Sequence, residues 1–259
     1  MPRKFFNEFN GLPPPASSDA LAFPKRFFAS LLLAAALPLP AFAGQTIIID
    51  SPVGSDVSGN SDTPDGLGFA GLDPNGNSVI INADVNGWVD GAVHSDAVTG
   101  NSVTINGGVV QNGVDGGLAS SPTGAATASG NSVSISGSPS FGGNAELHGG
   151  GGNGTGDFFT GNSLKILNYS GSAMDAVSNF QYYTFLLPAD VANGDTALNV
   201  TNNVYLSSDG GLPSTISNVG FVGGGRVQQA GESFTLISAA GTLYGAIAND
   251  GQPLYRRSL

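Results

Sequence analysis

The chain has no cysteine and little charge: of 259 residues, 10% are charged and only 8 are Lys or Arg. Without cysteine there is no disulfide framework and no thiolate metal site, so stability must come from backbone pairing and apolar stacking. No Lys or Arg occurs between Gly44 and Leu164. Nucleic-acid affinity rests on basic groups that displace counterions, so DNA or RNA as a partner is excluded. Histidine is nearly as scarce, with His94 and His148 far apart in the chain. His94-Ser95-Asp96 holds the residue types of a hydrolytic triad. On a strand, however, adjacent side chains point to opposite faces and cannot form the relay. No Gly-x-Ser-x-Gly elbow is present. The expectation is a protein that is not an enzyme.

Long apolar runs are also missing. The longest, Phe27 to Leu37, is shorter than the roughly 20 residues a membrane helix needs. It follows Lys25-Arg26, is broken by Pro38-Leu39-Pro40, and leads to Ala41-Phe42-Ala43 before Gly44. A basic region, a short apolar core and a small-x-small site, in that order, predict a secretory signal peptide over 1–43. The stretch before Lys25 is long for such a signal, so either its basic region is extended or the true start lies downstream. The 216 residues beyond Ala43 carry four basic and seventeen acidic groups, a net charge of −13, and no transmembrane segment. Export across the inner membrane is expected, to the periplasm, the cell surface or the medium.

What is abundant is glycine, 40 residues, and a repeat. Gly76-Asn77-Ser78-Val79-Ile80-Ile81 returns as Gly100-Asn101-Ser102-Val103-Thr104-Ile105, as Gly130-Asn131-Ser132-Val133-Ser134-Ile135, and as Gly161-Asn162-Ser163-Leu164-Lys165-Ile166. The starts are 24, 30 and 31 residues apart. A fainter first copy is read at Gly59-Asn60-Ser61. Strand parity places Val79 with Ile81, Val103 with Ile105, Val133 with Ile135, and Leu164 with Ile166 on one face. One copy cannot bury its apolar pair; parallel stacking of copies does, with each period one coil of a β-solenoid about 4.8 Å thick. The glycine suits a corner that needs positive φ. The asparagine shares parity with the apolar pair, and two readings stay open: an inward amide ladder or a turn residue facing solvent. Fixed-phase Val/Ile pairs argue against disorder, and the repeat argues against an antiparallel sandwich. The predicted organisation is a repeat solenoid over 44–167 and a β-rich end or cap over 168–259.

These Gly-Asn-Ser-Val-x-Ile coils resemble the passenger region of bacterial autotransporters, adhesin-like proteins of Gram-negative outer membranes. Asn179-Phe180-Gln181-Tyr182-Tyr183-Thr184-Phe185-Leu186-Leu187-Pro188, with Asn193-Gly194-Asp195-Thr196-Ala197-Leu198, is similar to the strand pair late in such passengers. Gly231-Glu232-Ser233-Phe234-Thr235-Leu236-Ile237 is similar to the strand that stands shortly before their membrane barrel. The resemblance implies an all-β, right-handed parallel β-helix and a structural or interaction role, with host or cell-surface glycans or proteins as partners. After Gly251 only eight residues remain, so the expectation is a passenger without its translocator barrel. The alternatives are a secreted β-helix carbohydrate-active enzyme and a non-functional gene fragment. The sequence names no ligand and no oligomeric state.

No cofactor is expected. Calcium is the one cation for which the residues offer ligands, at Asp62, Asp65, Asp73 and Asp157. Gly151-Gly152-Asn153-Gly154-Thr155-Gly156-Asp157 resembles the calcium-binding β-roll nonapeptide, but its Asp arrives one residue late and the unit is not repeated. The single tryptophan, Trp88, is expected to fill a corner of the core, with stacking on a sugar ring as the alternative.

Overall fold

The structure, a computed structural model, describes residues 44–61, 72–121, 124, 126–153, 155–169, 171–223, 226 and 228–249. The expected signal peptide at 1–43, and Asp62 and Asp65, lie outside them. Among the described residues all regular structure is β; there is no helix, and so none long and apolar enough to cross a membrane.

Two seven-stranded sheets dominate. The first runs Thr46–Ile49, Ser78–Ile81, Ser102–Ile105, Ser132–Ser136, Ser163–Leu167, Tyr182–Leu187 and Thr215–Phe221. The second runs Val57–Ser58, Trp88–Asp90, Gly113–Asp115, Glu146–His148, Ala176–Ser178, Val204–Leu206 and Leu243–Gly245. Neighbours in each sheet come from successive periods of the chain and pair in parallel. Like therefore lies on like: Val79 beside Val103 beside Val133 beside Leu164 beside Tyr183, and Ile81 beside Ile105 beside Ile135 beside Ile166 beside Phe185. These side chains are buried, and each contributes about 1.5–3 kcal/mol by leaving water. The second sheet turns Val57, Val89, Val114, Leu147, Val177 and Val204 into the same core. Parallel bridges Val53–Val85 and Val85–Val110 close a third side.

The first rung differs from the copy read at Gly59-Asn60-Ser61. Gly44-Gln45-Thr46-Ile47-Ile48-Ile49 occupies that place, with Ile47 beside Val79 and Ile49 beside Ile81. Gly59 belongs to a different corner, in line with Gly91, Gly116 and Gly149 at the end of the second sheet's strands. There the N–H groups of Gly59, Gly91 and Gly116 donate to the carbonyls of Asp90, Asp115 and His148 at 3.0, 2.9 and 2.9 Å. Gln replaces Asn in the first rung, which is why the motif is not seen by identity.

The sheet continues across the change in sequence texture at 167. Tyr182–Leu187 pairs with Ser163–Leu167 in full register, and Thr215–Phe221 follows after a bulge that leaves Ser217 without a partner. Thr196–Val200 and Thr235–Ala239 form a further parallel pair.

Beside the second sheet, three periods carry a flank. Val93–His94, Leu118–Ser120 and Gly151–Asn153 form a three-stranded parallel sheet, and Ala97–Thr99 pairs with Thr127–Ser129. A small cluster of Ala92, Val98, Ala119, Ala126 and Ala128 lies inside it.

Candidate functional site

The asparagines settle the reading left open by parity. Asn77, Asn101, Asn131 and Asn162 are buried, each after a glycine at φ between 67° and 76°. Their Oδ1 atoms accept the backbone N–H of the rung below: Gln45 to Asn77 at 3.0 Å, Asn77 to Asn101 at 2.8 Å, Asn101 to Asn131 at 3.0 Å, Asn131 to Asn162 at 2.9 Å. The side-chain amides also find acceptors, such as the carbonyls of Asp73, Pro74 and Val98. A polar column is thus satisfied within the molecule, which makes it a scaffold and not a reaction centre.

The chemistry-bearing cluster lies on the outward face of the second sheet. Ser58, Asp90, Asp115, His148 and Ser178 stand in one register column. Trp88, Gly113 and Glu146 form the column beside it. Outward residues are ordinarily solvated, yet Asp90 and Asp115 are 6% and 4% exposed, because the flank folds back over them. The approach is close: a Cβ on Gly151 would lie 2.5 Å from Asp115 Oδ1. Trp88 is half-buried and lies on this face, not in the core as expected; its ring covers Gly113, where a Cβ would be 2.6 Å from its Cζ3. The ring comes within 6.2 Å of the His148 imidazole.

Burial is the main cause that pushes the Asp90 carboxyl well above its usual range, followed by the charge and hydrogen bond of Asp115 and the charge of Asp56. Asp90 Oδ1 is buried without a hydrogen-bond partner, and the buried Asp115 Oδ1 faces the His148 ring. His148 places Nδ1 3.2 Å from Asp115 Oδ1, an ion-pair distance, and Nε2 3.1 Å from Glu146 Oε2. Burial alone would lower its pKa, but contact with Asp115 and then Glu146 outweighs that and raises it. The column thus brings two buried carboxyls and an imidazole together, with the half-exposed Glu146 at its edge.

Of the calcium candidates, the two described ones, Asp73 and Asp157, each sit in a local turn. Asp73 Oδ1 accepts the N–H and side-chain amide of Asn75 at 3.0 and 2.9 Å. Asp157 Oδ1 accepts the N–H groups of Phe159 and Thr160 at 3.0 and 2.9 Å. Burial opposes ionisation of Asp157, but the Thr160 side chain and then the two backbone N–H groups outweigh it, so its pKa is lowered. Each carboxylate thus organises its own turn. Among the described residues no three His, Asp or Glu side chains stand in metal-holding geometry. His94 Nδ1 accepts the N–H of Asp96, a local turn contact.

The acid column was legible in a signal other than the Gly-Asn-Ser repeat. Val89-Asp90-Gly91 recurs as Val114-Asp115-Gly116, 25 residues on. His148 stands one rung further, before Gly149, where identity no longer marks it.

Comparison of the chain with protein-family models, with curated proteins and with solved structures finds no match in any of the three.

Proposed function

We propose that the chain is an exported right-handed parallel β-helix of the autotransporter-passenger type, a structural and interaction module displayed beyond the inner membrane. One observation carries the reading: seven successive strands of each main sheet lie in parallel around one apolar core, and four of the periods share a buried amide column. Such a stack presents a long outer surface of Ser, Thr, Asn and Gly whose rungs repeat at about 4.8 Å, suited to many weak polar contacts. Residues 27–43 supply the expected means of export.

A second reading, a carbohydrate-active enzyme, is favoured by the convergence of Asp115 and Glu146 on His148, with Asp90 beside Asp115. Burial weighs against it. Asp90 and Asp115 are only 6% and 4% exposed beneath a folded-back flank, where a glycan does not reach them.

Expression of the full chain in a Gram-negative host, with fractionation and external protease, tests the leading reading. A processed, protease-resistant β-protein outside the cytoplasm is expected. An unprocessed cytoplasmic chain would contradict export, and release of reducing ends from polysaccharides, lost in Asp115→Asn, would favour the enzyme.

A further inference from the structure

The flank strand Gly151–Asn153 and the His148 ring meet Asp115 at one atom. Asp115 Oδ1 faces His148 Nδ1 at 3.2 Å, and a Cβ on Gly151 would lie 2.5 Å from the same oxygen. That oxygen is shut off from solvent. The strand that covers it is lightly held. It has three register pairs with Leu118–Ser120, the Gly151 N–H donating to the Gly117 carbonyl at 2.9 Å, and the Asn179 side chain donating to the Gly150 carbonyl at 2.8 Å. The flank's own apolar cluster is four alanines and one valine, with Phe158 against it, so little buried apolar area keeps it in place. The chain enters the strand through Gly149-Gly150-Gly151-Gly152, where backbone rotation is least restricted.

His148 also places Nε2 3.1 Å from Glu146 Oε2, on its own strand. Both ring nitrogens therefore stand at ion-pair distance from an acid. A protonated ring presents N–H to both, whereas a neutral ring turns a lone pair toward one of them. Asp115 comes from the neighbouring strand, Asp90 lies one rung beyond it, and the charge of Asp56 reaches Asp90 from the rung before that. On the other side Ala176–Ser178 brings Ser178 alongside. Gly151–Asn153 and Leu118–Ser120 carry no titratable side chain. His94, on the remaining strand of that flank sheet, is exposed, and its Nδ1 accepts the Asp96 N–H. The other basic side chains among the described residues are Lys165, on the first sheet, and Arg226, paired with Glu232 at 3.0 Å.

We propose that Gly151–Asn153 is a proton-controlled flap: it stays closed over Asp115 while His148 carries its proton between Asp115 and Glu146, and it lifts when that proton leaves. Loss of the proton leaves the buried Asp90 and Asp115 without a positive partner, which disfavours the closed state. Water relieves this, and it reaches Asp115 Oδ1 once Gly151 moves aside. Contact with Asp115 and Glu146 holds the imidazole above 6.5 against the opposing effect of burial, so the flap opens on the alkaline side of an ordinary histidine. Opening uncovers an acidic patch. It leaves the two main sheets intact, because the flank's apolar cluster is separate from their core. The device goes beyond the interaction reading and does not depend on it.

The test is amide hydrogen exchange of the full chain at pH 6 and pH 9, each rate divided by the intrinsic rate at that pH, with Trp88 fluorescence titrated over the same range. Protection of residues 149–153 should fall about tenfold or more at pH 9, while Ser132–Ser136 in the first sheet keeps its protection. Trp88, the single tryptophan, has its ring 6.2 Å from His148 and should change its emission with the same midpoint. His148→Gln, which cannot carry the charge, should exchange at pH 6 as the parent does at pH 9. Glu146→Gln should move the midpoint to lower pH, and because Glu146 is 38% exposed it carries the test even where His148→Gln fails to fold. His94→Gln should leave the midpoint in place. Equal protection of 149–153 at both pH values, a midpoint unmoved by Glu146→Gln, or protection lost equally from Ser132–Ser136 would overturn the proposal. So would an opening that keeps its pH dependence in His148→Gln, which would assign it to Asp90.

Discussion

The Oδ1 atom of Asn131 accepts the backbone N–H of Asn101 at 3.0 Å, across 30 residues of chain. Both residues are buried, so neither water nor another rung replaces the contact. Asn131→Ala should leave the Asn101 N–H unsatisfied and destabilise the protein by about 1–3 kcal/mol. Asn106 provides the control. It belongs to a parallel but exposed series, donating to Asn82 at 3.0 Å and accepting from Ser136 at 2.8 Å. Asn106→Ala should cost less than about 1 kcal/mol, since water takes over. Denaturant unfolding of the two variants measures the difference.

Gly116 and Asn131 form the second constraint. A Cβ on Gly116 would meet the Gly149 carbonyl oxygen at 2.4 Å and Asn131 Cβ at 3.0 Å. Backbone must move to admit it, so Gly116→Ala should destabilise by about 1–3 kcal/mol. Gly143→Ala, where nothing lies within 4 Å, should stay within about 0.5 kcal/mol of the parent. Equal melting temperatures for the two variants would show that the corners are not packed together.

Stability should fall as pH rises from mildly acidic to alkaline. Asp90 is held above 3.8 and His148 above 6.5, so both bind protons more tightly folded than unfolded. The stability each contributes is complete below its unfolded pKa and is lost as pH climbs through its folded pKa. Asp157 acts in the other direction: its lowered pKa gives stability that is lost only as pH falls below 3.8. Asp90→Asn keeps a donor toward Asp115 without a titrating proton. It should raise Tm at pH 8 relative to the parent and flatten the profile. A parent Tm that increases steadily from pH 6 to pH 8 would contradict this direction.

Much of this was legible in the sequence because it depends on parity and recurrence. Val79, Val103, Val133 and Leu164 stand at one position of a repeat, and strand geometry alone assigns them a common face. The first rung was not legible, since Gln45 and Ile47 meet the same backbone and packing demands with different residues. Asp90 and Asp115 escaped for another reason. They point outward, where parity predicts solvent, and only the return of the flank through Gly116-Gly117 and Gly149-Gly150 covers them. Trp88 was misplaced on the same ground: its partner Gly113 makes room for it on the outer face. The sequence pattern carries the period of a parallel stack better than it carries the side excursions that build a site.

The central claim is that residues one period apart are nearest neighbours across parallel strands. The native absence of cysteine allows site-directed spin labels at Thr104 and Ser134, outward residues paired in register 30 positions apart. Strand spacing places them about 4.8 Å apart along the stack. Continuous-wave EPR of the doubly labelled protein should show strong dipolar broadening, and a pair at Thr104 and Lys165, one rung further, should show distinctly less. An unbroadened spectrum for Thr104 and Ser134, in a preparation that melts cooperatively, would contradict the account.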